Sequence, residues 1–274
     1  MKLGFLKWHN LSPIRYSLWD GFGFLHLHLE GGHTGRHVSI QIRLTEPRGK
    51  IKKPKKAVAF FDVDGTLLKS TIVHYYIWMR SAQAPFLLKR LWLVGFLPKI
   101  VYYLILDRIS RPRFNQVFYR NYRGMRVAET KRLSTEMFEA YLRPKIFSAA
   151  ISQIQEHKAQ GIAVVFVTGS LDFIVQPMAN YLAIDSVLAP QLGEQDRQFT
   201  GELTTEPLIG EEKAKAVRAY AEQHGVSLEE SYAYGDSQSD LPMLECVGNP
   251  VVVNPGKALR EKALSSGWEM HEWL

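Results

Sequence analysis

Two aspartates, Asp62 and Asp64, stand two residues apart at the end of the apolar run in FFDVDGTLL, residues 60–68. Side chains two apart on extended chain point the same way, so both carboxylates can address one pocket. Held close they repel each other, and a divalent cation relieves that repulsion. Three further groups follow downstream. Thr168-Gly169-Ser170 offers a hydroxyl and a flexible backbone that can cradle phosphate oxygens. Gly210-Glu211-Glu212-Lys213 opens a helical run through His224 and places a lysine near a helix N-terminus. Gly235 to Asp240 (GDSQSD) is a glycine turn carrying two more carboxylates, Asp236 and Asp240, four positions apart.

The elements that must position these groups are legible around them. Ala57 to Phe61 are small, β-branched or aromatic, which suits a strand buried on both faces, and polar residues begin only where such a strand would end. Gly65 allows a sharp exit and Thr66 can hydrogen-bond backbone to hold it. Ile162 to Val167 reads as a second buried strand ending at Thr168, and Tyr232 to Tyr234 lead into Gly235. In open parallel sheets, ligands bind just past the carboxyl ends of the strands, which is where each polar group falls.

In this order the four groups resemble the motifs of the haloacid dehalogenase superfamily, and specifically its phosphoserine phosphatase-like branch. The correspondence runs from about Lys55 onward. DVDGT followed by GDSQSD at this distance is specific, whereas TGS and GEEK alone would be weak. The resemblance implies an α/β fold, a doubly wound and mostly parallel sheet with an inserted helical cap. The expected division is an N-terminal extension over 1–54, a catalytic core over 55–72 and 145–274, and a cap over 73–144. It implies that Asp62 is the nucleophile that forms an aspartyl-phosphate, and that Asp64 is the general acid and then base. Superfamily members that transport ions or remove halide lack the second aspartate, so its presence favours phosphatase or phosphomutase chemistry. The resemblance further implies Mg2+ held by Asp62, the backbone carbonyl of Asp64 and Asp236, with Asp240 as a neighbouring ligand or as an orienting partner. Thr168, Gly169 and Lys213 are expected to bind the phosphoryl oxygens, with Lys215 competing for the lysine's role. The enzyme expected is a phosphomonoesterase acting on a small-molecule phosphate ester. Its rivals are a phosphotransferase or mutase and, from a different class, a non-catalytic membrane or nucleic-acid adaptor. Keeping mutually repelling carboxylates together speaks against the adaptor.

The cap is where the resemblance weakens. Phosphoserine phosphatases carry charged residues just after the first motif that read the amino acid, whereas this chain has Thr71-Ile72-Val73-His74-Tyr75-Tyr76. The segment from Ala84 to Leu106 is strongly apolar and aromatic but is interrupted by Lys89, Arg90, Pro98 and Lys99, so a membrane span is not expected. Two packed cap helices kinked near Pro98 are the favoured reading, with a surface that dips into lipid headgroups as the alternative. The same apolar surface would admit a lipid-like phosphate ester, in keeping with relatives of this branch that are fused to acyltransferases.

Composition fits a large core: 274 residues, 46% of them hydrophobic. The single cysteine, Cys246, excludes an intramolecular disulfide and points to a reduced, cytoplasmic compartment, with membrane association through the cap as an addition. A net charge of +7 favours anionic partners, and Arg108, Arg111, Arg113, Arg120, Arg123 and Arg126 sit close together. Their default is a solvated helix face, so nucleic-acid binding is not favoured. In the first fifty residues, alternation in 22–29 and 38–44 suggests a hairpin turning near Gly31-Gly32, and residues 50–56 read as a basic linker.

Overall fold

Val58–Phe61 forms a strand because its alternate side chains find apolar partners on both faces. Ala59 and Phe61 enter one core cluster, while Val58 and Phe60 enter another on the opposite side. The computed structural model describes residues 56–82 and 85–273, together with the backbone of three strands nearer the N-terminus. Those three, β1 (Tyr16–Trp19), β2 (Phe24–Leu29) and β3 (Ile40–Thr45), make an antiparallel sheet in the order β1-β2-β3. The β2–β3 pair, with Phe24 opposite Thr45, is the expected hairpin. Its Gly31-Gly32 turn and residues 50–55 of the basic run lie outside the described residues. This sheet belongs to a compact unit, Met1–Pro54, and the rest of the chain, Lys55–Leu274, forms a second.

The second unit is built on a six-stranded sheet. Val58–Phe61 is β4, followed by β5 (Ala163–Val167) and β6 (Ser186–Leu188); a hairpin of β7 (Leu192–Gln195) and β8 (Gln198–Leu203) stands apart. Then come β9 (Tyr232–Gly235), β10 (Asn249–Val253) and β11 (Glu269–His271). The order is β11-β10-β9-β4-β5-β6 and every neighbouring pair is parallel. The chain winds outward one way from β4 and then returns to wind the other way from β9. The order therefore reverses between β4 and β9, the place where a doubly wound sheet opens a crevice.

Helices cover both faces. The first four, α1 (Ile72–Ser81), α2 (Phe86–Ile109), α3 (Arg111–Tyr119) and α4 (Val127–Met137), follow β4 in sequence. After a π-helical turn over Phe138–Leu142 come α5 (Ser148–Ala159) and α6 (Asp172–Tyr181). The remaining helices are α7 (Glu211–His224), the short α8 (Leu241–Leu244) and α9 (Lys257–Ser266). Val217 of α7, Met243 of α8 and Leu259 of α9 pack with Phe60 and Val165 on one face, whereas the inserted helices, α5 and α6 share the larger core with Phe61 and Phe166.

The expectation of two packed helices kinked at Pro98 is corrected. The segment is one 24-residue helix that runs through Pro98, and of its side chains only Phe96, Tyr103 and Leu106 are buried. It caps the cavity on one side and joins the core along one face, where Trp92 and Ile100 pack beside those three, while most of its other apolar residues are exposed.

The exit from β4 depends on Gly65. Its φ is +100°, a conformation L side chains rarely adopt, and a Cβ there would collide with the Asp236 carboxylate. Leu67 N–H donates to Val63 C=O at 2.9 Å and Gly65 N–H to Leu68 C=O at 2.9 Å, closing the turn. Gly65→Ala is expected to lower unfolding free energy by about 2–4 kcal/mol, the sum of backbone strain and the collision. Gly161→Ala has the same kind of backbone, φ +73°, but nothing within 4 Å of a Cβ, and serves as the control at roughly 1 kcal/mol. Urea denaturation of the two variants against wild type measures the difference.

Candidate active site

Asp62 and Asp64 follow β4 directly, and Asp236 follows β9, the neighbouring strand. Asp62 N–H donates to Tyr234 C=O at 2.9 Å, so the ladder between these strands continues to the first aspartate. Parallel pairing thus brings carboxylates 174 residues apart in sequence to the same end of the sheet. One oxygen from each of Asp62, Asp236 and Asp240 lies within 4.8 Å of the other two. Gly235 permits the approach of Asp240, whose Cβ would sit 2.6 Å from a Cβ added at that glycine.

A single lysine offsets this charge. Lys213 lies in the first turn of α7, is buried, and donates its ammonium hydrogens to Asp62 Oδ1 and, at 2.6 Å, to Asp240 Oδ1. Lys215 is exposed and pairs with Glu212. Asp240 is further held by Ser237, whose N–H and hydroxyl donate to Oδ2 at 3.0 and 2.7 Å. Thr66 Oγ1 lies 3.2 Å from Asp62 Oδ2 and 3.3 Å from Asp236 Oδ1. Its one proton serves one carboxylate at a time.

The protonation equilibria follow from this balance. Burial would raise Asp240, but Lys213 and the Ser237 donors overcome it and hold the carboxyl below its usual range. Burial alone would lower Lys213, and Asp240 and Asp62 reverse that, keeping the ammonium charged. Burial pushes Asp62 well above the ordinary carboxylate range; Lys213 opposes the shift, while Asp240 and Asp236 add to it. Asp236 is pushed up to about 7, by burial first and by Asp240 second. One buried ammonium therefore leaves the cluster short of positive charge. All-oxygen donors in a carboxylate pocket with that deficit fit a hard divalent cation.

Asp64 sits apart from this cluster and is oriented by two hydroxyls. Tyr75 Oη donates to Oδ1 and Ser170 Oγ to Oδ2, each at 2.5 Å. Gly169 lines the same cavity, and its carbonyl accepts from Tyr119 Oη at 2.6 Å and Asn115 Nδ2 at 3.3 Å, which ties the loop after β5 to α3. Thr168 is fully buried and does not line the cavity; its hydroxyl accepts from Ser170 N–H at 3.0 Å. The structure thus gathers Asp62, Asp64, Gly169, Lys213 and Asp240 on one cavity wall, sets Asp236 beside Asp62, and leaves Thr168 behind the wall. Tyr75, Asn115 and Tyr119 reach the site from helices and carry no sequence signal for it: an aromatic at helical spacing reads as core, and a single asparagine in a helix reads as surface.

The cavity has a volume of about 460 Å³. Away from the aspartates its walls are apolar: Ile72, Val73 and Ile77 of α1, Ile100 and Leu104 of α2, and Phe114 of α3. The polar exceptions include His74, whose Nδ1 lies 3.0 Å from Thr71 Oγ1, and the pair Asp107 and Arg111. That pair stands at 3.8 Å, an ion pair too long for a hydrogen bond.

Residues 59–245 match the haloacid dehalogenase-like hydrolase family. A protein of Streptomyces azureus named for inhibition of morphological differentiation is 40% identical over 148 residues, a match spanning 53% of each chain. A phosphoserine phosphatase of Mycobacterium tuberculosis is 31% identical over 223 residues, covering 79% of this chain and 71% of the relative. In three dimensions, a substrate-bound phosphoserine phosphatase superposes with a TM-score of 0.60 at 19% identity, covering 81% of this chain and 95% of the other.

Lys213→Met leaves two buried carboxylates without their cation, and breaking a buried pair in this way costs about 3–5 kcal/mol. Lys215→Met, at an exposed pair, is expected to change stability by less than about 1 kcal/mol. Equilibrium denaturation of both variants distinguishes the two lysines.

Proposed function

The chain belongs to the haloacid dehalogenase-like hydrolases, in their phosphoserine phosphatase-like branch, and we propose that it is a Mg2+-dependent phosphomonoesterase working through an aspartyl-phosphate. The observation that carries this reading is the arrangement of Asp62 and Asp64: one carboxylate beside Lys213 in the charged cluster, the other held apart by Tyr75 and Ser170 and facing the same cavity.

In this mechanism an Asp62 oxygen attacks phosphorus in line, the bond from phosphorus to the alcohol oxygen breaks, and Asp64 gives its proton to the departing alkoxide. Asp64 then takes a proton from water, whose oxygen attacks the phosphorus and releases phosphate from Asp62. The hydroxyls of Tyr75 and Ser170 fix the plane of the Asp64 carboxyl so that both transfers use one geometry. Lys213 offers its third hydrogen to a phosphoryl oxygen, and Gly169 offers its backbone N–H where charge develops. Mg2+ would be held by Asp62, the Asp64 carbonyl and Asp236, and when bound would supply Lewis-acid stabilisation of phosphoryl charge. Both oxygens of Asp240 are engaged, by Lys213 and Ser237, which supports an orienting role.

The helical insertion, residues 73–144, acts as the cap that excludes water and selects the substrate. Its apolar wall supports a substrate with a substantial hydrocarbon part, a lipid-like phosphate ester, and with it a peripheral contact between the cap and a membrane. Asp107 and Arg111 are the charged exceptions on that wall, an ion pair at 3.8 Å in which Asp107 Oδ1 accepts no hydrogen bond among the described residues. Among the described residues no helix is long and apolar enough to cross a membrane.

Asp62→Asn is expected to abolish phosphate release while leaving the melting temperature within a few degrees of wild type. Chelation of divalent cations should abolish it too, and Mg2+ should restore it. A series of alkyl phosphates of increasing chain length, with phosphoserine as comparison, should show kcat/KM rising with chain length. Product formed by transfer to added alcohols in place of free phosphate would instead identify a phosphotransferase.

A further inference from the structure

The residues exposed on α2 do not suit water. Thirteen large hydrophobic side chains are exposed among the described residues, and eleven of them belong to this one helix. They are ordered: Leu87, Leu91, Val94, Pro98, Val101 and Ile105 follow one another at alternating steps of four and three, a straight stripe along the helix. Trp92, Phe96 and Tyr103 occupy the opposite face and join the core, so the stripe points away from the body of the unit. At 1.5 Å per residue the helix is about 36 Å long, and patches of that extent on a monomer mark interaction sites.

Charge says what the stripe meets. Arg90 and Arg108 are eighteen residues apart, about five turns, and so flank the stripe on the same side. Lys99 flanks it on the other. All three are exposed, and the guanidinium of Arg90 lies 4.3 Å over the Phe86 ring. The only acid in α2, Asp107, lines the cavity and does not share the stripe. A second copy of this surface would set arginine and lysine against arginine and lysine with no carboxylate to match them. An anionic bilayer has the complementary pattern, negative headgroups over hydrocarbon.

We propose that α2 docks the protein on an anionic membrane surface, with the stripe at the boundary of headgroups and acyl chains and Arg90, Lys99 and Arg108 among the phosphates. This deepens the phosphomonoesterase reading, on which only its consequence for substrate rests: Leu104 is 61% exposed and also lines the cavity, so the apolar wall of the site meets the docked face. An amphiphilic phosphate monoester can then reach the aspartates along α2 without its hydrocarbon chain crossing water.

Flotation of the full chain with phosphatidylcholine vesicles, with and without phosphatidylglycerol, tests the docking. Wild type is expected to float with the phosphatidylglycerol vesicles, less with phosphatidylcholine alone, and less as salt is raised. A triple variant, Leu91→Asp, Val94→Asp and Val101→Asp, should lose more than roughly a hundredfold in partitioning. Arg90→Gln with Arg108→Gln should lose roughly 25-fold at low salt. Circular dichroism and the melting temperature of both variants report an intact fold whatever their activity, and should the triple variant fail there, the arginine pair decides alone. Asp62→Asn should float like wild type, which separates docking from turnover. No flotation of wild type, unchanged flotation of a folded variant, or a dimer in solution that the aspartates dissociate without any vesicle binding would each overturn the proposal.

Discussion

A buried ammonium shared between two carboxylates governs the geometry of this protein. Lys213 touches Asp62, which leaves β4, and Asp240, which follows β9, so it joins the two strands at which the sheet reverses direction. Desolvation makes each of these charges costly alone, and the Coulomb attraction among them is strong only because water is excluded. The helix that carries the lysine is held in turn: Val217 and Ala221 of α7 pack on Phe60 and Val165, which fixes the height at which its first turn meets the aspartates. Packing on one face of the sheet thereby sets charge separation at its end.

The arrangement is stable in its parts but incomplete in its charge. With Asp62 and Asp236 both raised, the site holds more negative charge than Lys213 can balance. The glycines at 65 and 235 exist in this context because any Cβ there would displace a carboxylate of the cluster. Asp64 is excluded from the crowd by two residues of sequence and two hydroxyl donors, which is why it can differ in task from Asp62.

The parts of this site legible in the sequence are those where local pattern and chemistry coincide. An apolar strand that stops at a carboxylate stands out because nothing about strand formation requires the carboxylate; the clustering of Asp62 and Asp236 at one end of the sheet was legible on that ground, the place of Lys213 only from the order of the motifs, and the parallel α/β sheet from the strands themselves. Tyr75 and Tyr119 were not, because their hydroxyls act at the tip of side chains whose rings are core, and periodicity reports the rings. Thr168 shows the converse. Its hydroxyl accepts from Ser170 N–H within the turn after β5, a local contact that a sequence pattern does not distinguish from a ligand contact.

The sequence of α2 does not distinguish two buried helices from one exposed helix, for a physical reason. An apolar segment broken by charges and a proline resembles two buried helices, because burial is the usual fate of so many aliphatic side chains. Here the proline lies on the stripe that faces away from the core, where its ring meets no neighbouring element, and the helix continues through it. Its two faces then have separate duties. The inner one closes the cavity with Ile100, Tyr103 and Leu104, while the outer one is left with aliphatic residues and basic flanks. A side chain such as Leu104 that takes part in both makes the wall of the site continuous with the outside of the molecule. Hydrocarbon that moves along such a continuous apolar surface keeps its contact with apolar side chains and does not have to be hydrated on the way. Cavity and stripe are for that reason two ends of one apolar path, with the charged cluster at its inner terminus.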